Sequence, residues 1–252
     1  MSTSLAGQTA LITGASRGIG ASTALVLANA GVKHLVLHYN SFQQGADETA
    51  EAVRRAGAEV TLIQSDLGHM DGVHSLIEKV RSRTFDILVN NAGHLVQRAK
   101  LMESTEDIYD VVMTLNVKSL WFLTQAVVPA MIQKKSGIIV NVGSIAARNG
   151  GGPGATMYSA AKAAVSTFTK GWAKELAPHG IRVNAVSPGT VDNYFHEKHS
   201  NRQILDSVIA ATPAGRLATN EDVSDVILFL CSDASRYVHG QTFEINGGMF
   251  MV

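Results

Sequence analysis

Seven short apolar runs, rich in β-branched residues, alternate along this chain with longer segments of helical periodicity. Continuous apolar strands separated by helices are typical of parallel strands joined by right-handed crossover helices. We therefore expect an α/β fold with a central, mostly parallel, doubly wound seven-stranded sheet flanked by helices. The predicted strands are residues 9–13, 35–38, 60–64, 87–90, 138–142, 182–186 and 242–245, and the predicted helices lie near residues 18–30, 43–56, 70–82, 104–134 (in two pieces), 157–177 and 220–232.

Composition favours one domain around one large core. Hydrophobic residues make up 46% of the 252 residues and charged residues only 17%, which argues against disorder. No linker-like stretch or internal repeat divides the sequence, so we predict a single domain over residues 1–252. Its 21 basic and 21 acidic residues balance, and no basic run exceeds two residues, so we expect no nucleic-acid partner. Low net charge with high apolar content fits a homo-oligomer.

The sequence also bears on where the protein works. Cys231 is the only cysteine, so no disulfide can form within the chain, and a reducing compartment is indicated. Residues 1–8 lack the basic and apolar regions of a secretory signal. The apolar run near the end, residues 226–231, is too short to span a bilayer. We expect a cytoplasmic protein without a membrane partner.

A glycine-rich segment follows the first predicted strand and opens the first predicted helix. It reads Thr13-Gly14-Ala15-Ser16-Arg17-Gly18-Ile19-Gly20. Glycines let the backbone approach a pyrophosphate, and the helix N-terminus offers amide donors and a positive dipole end. No Gly-Lys-Ser/Thr follows, which excludes a Walker-type phosphate loop. The segment therefore predicts a dinucleotide site.

The end of the second predicted strand indicates which dinucleotide binds. NAD sites usually place an acid there to hold the ribose 2′-hydroxyl, but this chain has Asn40 and Ser41, and its first acid is Asp47. Asn and Ser can donate hydrogen bonds to a 2′-phosphate, and Arg17 can supply positive charge. We predict NADP(H), with NAD(H) as the less favoured cofactor; an Arg17 that only faces solvent remains the alternative.

Three residues further along the chain have the chemistry of an acid/base centre. Tyr158 and Lys162 are four residues apart, so on a helix they share a face. A nearby ammonium favours the phenolate, so we expect it to lower the pKa of the Tyr158 phenol. Ser144, at the end of the fifth strand, can hydrogen-bond the same substrate oxygen. Taken as an isolated pair, Tyr158 and Lys162 would more often be surface residues on a solvated helix face.

The ordered set of motifs resembles the short-chain dehydrogenase/reductase family over almost the whole chain, from Leu5 to Met251. The matching stretches are residues 13–20, Asp66-Leu67, residues 90–93 (Asn-Asn-Ala-Gly), Asn116, Ser144, Tyr158 with Lys162, residues 184–189 and residues 240–248. The resemblance implies a Rossmann-like domain. Within the family, the chain resembles NADP-dependent 3-oxoacyl-thioester and carbonyl reductases, and the resemblance implies a tetramer or dimer.

By this resemblance, Tyr158 is the general acid in reduction, Ser144 steadies the substrate oxygen, Lys162 binds the nicotinamide ribose, and Asn116 holds a water in a proton relay. Asp66 would contact the adenine amine. The cofactor-binding residues that we predict are Gly14, Ser16, Arg17, Gly18, Ile19, Gly20, Asn40, Ser41, Asp66, Leu67, Asn91, Ala92, Gly93, Tyr158, Lys162, Pro188, Gly189, Val191 and Asn193. Asn193 stands where the family often has a threonine that contacts the nicotinamide carboxamide.

Some features are left open by the sequence. Residues 190–214 are a long polar connection, which we interpret as a substrate lid. His94 and Arg148 flank the expected pocket and either bind substrate or face water. His196 and His199 lack the spacing of a metal helix, so we expect no metal site. Met249 and Met251 would fill an oligomer contact or a neighbouring pocket.

We therefore predict an oxidoreductase that transfers a hydride between NADP(H) and a ketone or secondary alcohol, in the direction of carbonyl reduction. One alternative is an NAD-dependent alcohol or sugar dehydrogenase. Another is a non-catalytic cofactor-binding sensor or scaffold, against which the set of Asn116, Ser144, Tyr158 and Lys162 argues. A methyltransferase on the same fold would have no use for Tyr158 and Lys162.

Overall fold

A computed structural model describes residues 5–194 and 202–251, and in it seven strands form one sheet. The strand order is β3-β2-β1-β4-β5-β6-β7, and every neighbouring pair is parallel. This confirms the predicted doubly wound α/β fold. The strands are β1 (Thr9–Ile12), β2 (His34–Tyr39), β3 (Glu59–Gln64), β4 (Ile87–Asn90), β5 (Gly137–Val142), β6 (Ile181–Pro188) and β7 (Thr242–Ile245).

Helices cover both faces of the sheet. They are α1 (Gly18–Asn29), α2 (Gln43–Arg55), α3 (Met70–Val80), α4 (Glu106–Met113), α5 (Ser119–Lys134), α6 (Ala146–Asn149), α7 (Thr156–Leu176), α8 (Arg202–Ala211) and α9 (Asn220–Cys231). Successive strand side chains point to opposite faces, and the core divides accordingly. Ile12 of β1 belongs to a cluster with α1 and α9, whereas its neighbour Leu11 belongs to a second cluster with α3, α5 and α7.

The strand order reverses between β1 and β4, the two strands at the centre of the sheet. Chain segments that leave their carboxyl ends diverge to opposite sides there, and ligands of open α/β sheets bind in the crevice that results. The glycine-rich segment follows β1, and residues 91–93 follow β4. The fold therefore brings these two motifs to one crevice.

The long polar connection at residues 190–214 is partly helical. It contains α8, a ten-residue helix, Arg202–Ala211. Ile204, Leu205 and Val208 of this helix line one cavity, and their helical spacing is the signal that the sequence prediction missed. His196 and His199 lie outside the described residues.

A π-helical turn, Thr114–Lys118, joins α4 to α5. By length and composition alone, the whole run Glu106–Lys134 could cross a membrane, and it is the one such helix in the described part of the chain. Its apolar residues have another use here, because Leu123, Val127 and Met131 pack in the core against the sheet. This packing makes it a core helix of an α/β fold.

Buried polar side chains connect strands β4 and β5 to helices α5 and α7. Asn90 of β4 donates to Thr124 Oγ1 at 3.0 Å and to Asn141 Oδ1 of β5 at 2.9 Å, and Asn141 donates to Thr169 Oγ1 of α7 at 2.9 Å. The hydroxyl of Thr169 in turn donates to the backbone carbonyl of Val165. Because unpaired polar groups are costly in a core, this network fixes α7, the helix of Tyr158 and Lys162, against the sheet.

Replacing Thr169 by valine should destabilise the protein by about 2 kcal/mol, because the buried amide of Asn141 loses its acceptor while the side-chain volume hardly changes. Thr167→Val is the matched control: it makes the same change two residues away on the exposed face of α7, where about 0.5 kcal/mol or less is expected. Urea denaturation of both variants measures the difference. Equal losses would show that the network contributes nothing specific.

Candidate active site

The glycine-rich segment forms a tight turn that only glycine fits. Gly14 and Gly18 have φ angles of +68° and +62°, which disfavour any side chain. A Cβ on Gly20 would overlap the carbonyl of Gly14 and the amide of Asn91. Arg17 is the N-cap of α1 and makes no side-chain capping bond, so the first amides of the helix are left for another acceptor.

The turn is held by Asn91 and Ala92, the two residues that follow β4. The side-chain amide of Asn91 donates to the carbonyls of Thr13 (2.8 Å) and Gly14 (3.0 Å). In return, the hydroxyl oxygen of Thr13 accepts from the backbone amides of Asn91 (3.0 Å) and Ala92 (2.9 Å). The structure thus gives the Asn91 side chain a loop-positioning role, while its backbone lines the crevice.

His38, at the end of β2, is a third support of the turn that the sequence did not reveal. Its Nδ1 accepts from the backbone amide of Gly14 at 3.2 Å, and its Nε2 donates to the carbonyl of Ser65 at 2.9 Å. Two such partners fix the neutral tautomer. Burial lowers the pKa of His38 to about 4, although its bond to Ser65 and the charge of Asp66 oppose the shift. A histidine in a run of apolar strand residues was the available signal.

The residues expected to bind the adenine end surround the carboxyl ends of β2 and β3. Asn40 Nδ2 lies 3.4 Å from Asp66 Oδ1, and the same oxygen accepts from the amide of Gly68 at 2.9 Å. The guanidinium of Arg17 extends to this region and lies over the ring of Phe42. A tight glycine turn, free helix amides and a strand end without an acid together fit a dinucleotide that carries a 2′-phosphate.

The structure brings Ser144 and Tyr158 together from separate elements. Ser144 lies two residues beyond β5, and its hydroxyl oxygen accepts from the amide of Ala146 at 3.1 Å. Tyr158 lies in the first turn of α7 and shares a hydrogen bond with Ser144. Lys162 is one turn further on, with Nζ 5.7 Å from the centroid of the Tyr158 ring, and it donates to the carbonyl of Val142 at 2.9 Å.

Burial dominates the acid/base properties of this group. It raises the pKa of Tyr158 to about 12, although the bond to Ser144 opposes the shift, and it lowers the pKa of Lys162 to about 8. The expectation that the Lys162 ammonium lowers the pKa of Tyr158 was therefore wrong for this state of the protein. Nζ stays with a backbone carbonyl, and desolvation of the phenolate is the larger effect. The phenol accordingly keeps its proton at neutral pH.

Asn116 lies in the π-helical turn and organises the loop after β4. Its amide donates to the carbonyls of His94 (3.0 Å) and Val112 (2.9 Å), and its oxygen accepts from the amide of His94 at 3.1 Å. A Cβ on Gly93 would lie 2.6 Å from Lys162 Nζ and 2.8 Å from Asn116 Oδ1. Gly93, Asn116 and Lys162 are therefore in close contact, and π-helical turns often occur at such functional places.

One cavity of about 550 Å³ connects these groups. Most of the predicted site residues lie on its wall: Gly14, Arg17, Gly18, Ile19, Asn91, Ala92, Gly93, Ser144, Tyr158, Lys162, Pro188, Gly189, Val191 and Asn193. The other predicted residues are not among the described residues of the wall: Ser16, Gly20, Asn40, Ser41, Asp66, Leu67 and Asn116. Of these, Gly20 and Asn116 pack against residues of the wall, whereas Asn40 and Asp66 contact each other just beyond the carboxyl ends of β2 and β3.

The part of the cavity beyond Ser144 and Tyr158 has an apolar wall and a polar wall. Met249 with Ile204, Leu205 and Val208 of α8 supplies apolar lining, called here the apolar wall, and His94, Arg98 and Asn149 supply polar lining, called here the polar wall. Arg148 does not line the cavity, because its Nε pairs with Glu244 Oε1 at 2.8 Å. Of the two residues expected to flank the pocket, His94 does so and Arg148 stabilises β7 instead.

The segment after β6 is anchored close to the glycine turn. Val191 forms an isolated parallel bridge with Ala218, whose amide donates to Thr190 O at 3.0 Å while Asp192 N donates to Ala218 O at 2.8 Å. Asn193 Nδ2 donates to Asn220 Oδ1 at 3.1 Å. The Asn193 amide, expected at a nicotinamide carboxamide, thus contacts the start of α9 in this structure.

His38 should make the fold sensitive to acid in a defined range. Its folded pKa of about 4 lies below its ordinary value of 6.5, so the unfolded chain binds more protons between these values. The stabilisation is complete above pH 6.5 and is lost as pH falls through about 4, a change of about 3 kcal/mol.

Urea denaturation of the wild type and of His38→Asn at several pH values tests this. The wild type should lose more free energy of unfolding than the variant on acidification, and His69→Asn, at an exposed histidine, controls for the loss of a surface imidazole. Parallel pH curves for wild type and His38→Asn would refute the assignment.

Comparisons with known proteins agree with this geometry. A family model described as enoyl-(acyl carrier protein) reductase matches residues 14–250. A curated relative from Synechocystis, named 3-oxoacyl-[acyl-carrier-protein] reductase, is 40% identical over 99% of both chains. A solved structure described as an NAD(P)-dependent gluconate 5-dehydrogenase of Beutenbergia cavernae, with bound NADP, superposes with a TM-score of 0.92 at 35% identity over 99% of both chains.

An NADH-dependent reductase of alginate metabolism superposes with a TM-score of 0.87 at 31% identity, over 98% of this chain and 99% of that one. Matches of this extent and identity show the family and the class of chemistry, in which a hydride passes between a nicotinamide and a CH–OH group. The chain belongs to the short-chain dehydrogenase/reductase family and is a nicotinamide-dependent oxidoreductase that acts on CH–OH groups.

Proposed function

We propose that this protein reduces the carbonyl group of a small ketone or acyl thioester with NADPH, and that Tyr158 donates the proton. One observation carries the proposal: the bonded pair of Ser144 and Tyr158 stands on the wall of the same cavity as the glycine turn. A substrate oxygen that meets this pair has two hydroxyl donors directed at it. Such donors stabilise the charge that develops on a carbonyl oxygen during reduction.

With its pKa raised to about 12, the Tyr158 phenol carries its proton at neutral pH, as a proton donor must. A bound nicotinamide dinucleotide would supply the hydride that the carbonyl carbon receives. The carbonyl oxygen then takes the proton of the Tyr158 hydroxyl, since an alkoxide is a much stronger base than a phenolate. Ser144 keeps its proton and holds the same oxygen by a hydrogen bond.

Lys162 and Asn116 serve the return of the proton to Tyr158. Burial lowers the pKa of Lys162 to about 8, so its ammonium gives up a proton more easily than an exposed lysine would. Asn116 forms hydrogen bonds with the backbone of His94, and its Oδ1 lies beside Gly93, as Lys162 Nζ does. In this proposal, Asn116 keeps that space open for a relay between Lys162 and solvent.

Asn40, Ser41 and Arg17 favour NADPH over NADH, because β2 ends without a carboxylate to repel a 2′-phosphate. The neighbours give examples of both cofactors: the Beutenbergia structure holds NADP, and the alginate-pathway reductase is NADH-dependent. The remaining predicted contacts in the glycine turn and in residues 188–193 follow from the family resemblance and from their place on the cavity wall.

The substrate that we propose first is an acyl thioester, as in the name of the Synechocystis relative. The apolar wall of α8 and Met249 suits an acyl chain. A sugar acid, as in the name of the Beutenbergia neighbour, is the second candidate, favoured by Arg98 on the polar wall because a guanidinium suits a carboxylate. Initial rates of NADPH oxidation with acetoacetyl thioesters, keto sugar acids and enoyl thioesters distinguish the two and also test the C=C reduction that the family model's description names.

The wider assembly is also part of the proposal. We propose one domain over residues 1–252, with residues 190–214 as the substrate lid, in a cytoplasmic homo-oligomer, either a tetramer or a dimer. Trp121 of α5 packs against Phe168 and Trp172 of α7, with ring centroids 5.0 and 5.5 Å away. Trp121 and Phe122 remain 39% and 38% exposed, and such a half-exposed aromatic surface suits a contact between subunits.

Replacing Tyr158 by phenylalanine should lower kcat for ketone reduction at least about 100-fold, because the proton donor is lost while the ring remains. Binding of NADPH, measured by fluorescence titration, should change little. Tyr237→Phe, at a 97% exposed tyrosine, is the matched control and should keep full activity. A Tyr158→Phe enzyme with unchanged kcat would refute the proposed acid.

Replacing Arg17 by alanine should weaken NADPH binding about 10- to 100-fold, the range for charge-assisted hydrogen bonds, and NADH binding less than about threefold. Arg55→Ala, which removes an exposed arginine on α2, is the control. Steady-state kinetics with both cofactors measures the change in preference. Comparable losses for NADPH and NADH would contradict a 2′-phosphate contact.

A further inference from the structure

Two aromatic rings lie against the guanidinium of Arg17. Its central carbon is 3.9 Å from the centroid of the Phe42 ring and 4.0 Å from the centroid of the Tyr194 ring. Both distances are well inside the range of about 6 Å in which a cation is attracted to a ring face. The three residues come from three segments: the glycine turn, the start of α2, and the connection after β6.

Phe42 is the fixed half of this arrangement. It is the N-cap residue of α2, and its carbonyl accepts from the amide of Ala46 at 3.2 Å. Its ring packs onto Gly45 so closely that a Cβ there would overlap the ring and the carbonyl of Ser16. Phe42 therefore places one face of the Arg17 site beside Asn40 and Ser41.

Tyr194 completes the site from the other segment. Its backbone follows the anchored residues Val191 and Asn193, and its side chain is 46% exposed on the wall of the cavity that Arg17 also lines. Within the described residues, the Arg17 side chain makes these ring contacts and forms no hydrogen bond. The rings lie against the guanidinium carbon and form no hydrogen bond with the group. The N–H groups of Arg17 therefore stay available to phosphate oxygens.

We propose that Tyr194 is a positioning residue for cofactor selection, which acts through Arg17 and favours dinucleotides that carry a 2′-phosphate. This inference rests on the NADPH preference proposed above. An arginine side chain loses about 2 kcal/mol of conformational freedom when it becomes fixed. The two rings impose much of this loss before the cofactor arrives, so a 2′-phosphate meets a guanidinium already in place. A nucleotide without that phosphate gains nothing from the arrangement.

The test compares Tyr194→Ala with Tyr194→Phe, which keeps the ring. Calorimetric titrations use adenosine 2′,5′-bisphosphate and adenosine 5′-monophosphate, which differ only in the 2′-phosphate, and kinetics compare KM for NADPH and NADH. Tyr194→Ala should weaken binding of the bisphosphate and raise KM for NADPH about 2- to 5-fold, the size of an exposed cation–ring contact. Binding of adenosine 5′-monophosphate and KM for NADH should not change. Tyr194→Phe should match the wild type, as should the control Tyr237→Ala.

A double mutant separates action through Arg17 from a direct contact. In the Arg17→Ala background, Tyr194→Ala should cause no further loss of 2′-phosphate preference, because the two substitutions remove one shared effect. Equal weakening of both adenine nucleotides by Tyr194→Ala, no weakening at all, or additive losses would each overturn the inference while leaving the NADPH preference intact. A wild type that binds both nucleotides equally would overturn the inference together with that preference.

Discussion

The hydrogen bonds between the loops after β1 and β4 are the interaction on which the site depends. These strands are neighbours at the point where the strand order reverses, so their loops must diverge, and the crevice between them is open to solvent. The Asn91 amide and the Thr13 hydroxyl join the two loops by four hydrogen bonds. With this connection, the glycine turn is held against the loop after β4, in which Gly93 lies close to Lys162. Without these bonds, the position of the glycine turn relative to Gly93 and Lys162 would not be fixed by the two loops.

Burial then sets the chemistry of the groups around the crevice. The pKa values of Tyr158, Lys162 and His38 all move in the direction that disfavours charge. Each group has a polar partner nearby: a hydroxyl for the phenol, and backbone carbonyls for the ammonium and the imidazole. Such partners make burial of a polar group affordable. The result is a neutral phenol beside a cation that is held on the backbone, an arrangement in which the proton starts on Tyr158.

The sequence predicted those parts of the molecule that repeat a local rule. Strand and helix positions follow from apolar periodicity, and β4 and β7 lie at the predicted residues. The bond of His38 to the glycine turn and the contact of Tyr194 with Arg17 could not be predicted in this way, because each depends on a partner far away in the chain. Helix α8 was missed although its apolar residues have helical spacing. The same limit explains Arg148. Its partner Glu244 lies 96 residues away, and nothing in the local sequence indicates the pair.

The apolar and polar walls of the cavity are held with unequal strength. On the polar wall, Arg98 Nη1 donates to the carbonyl of Pro153, and the amide of Ala99 donates to that of Gly154. A Cβ on Gly154 would lie 3.0 Å from Ala99 N, so these segments are in close contact. The apolar wall is different, because α8 has no buried residue. A helix held by half-exposed side chains costs little free energy to shift. For the function proposed above, we therefore expect the polar wall to set where a substrate's charged or polar group lies, and α8 to adjust to the bulk of its apolar part.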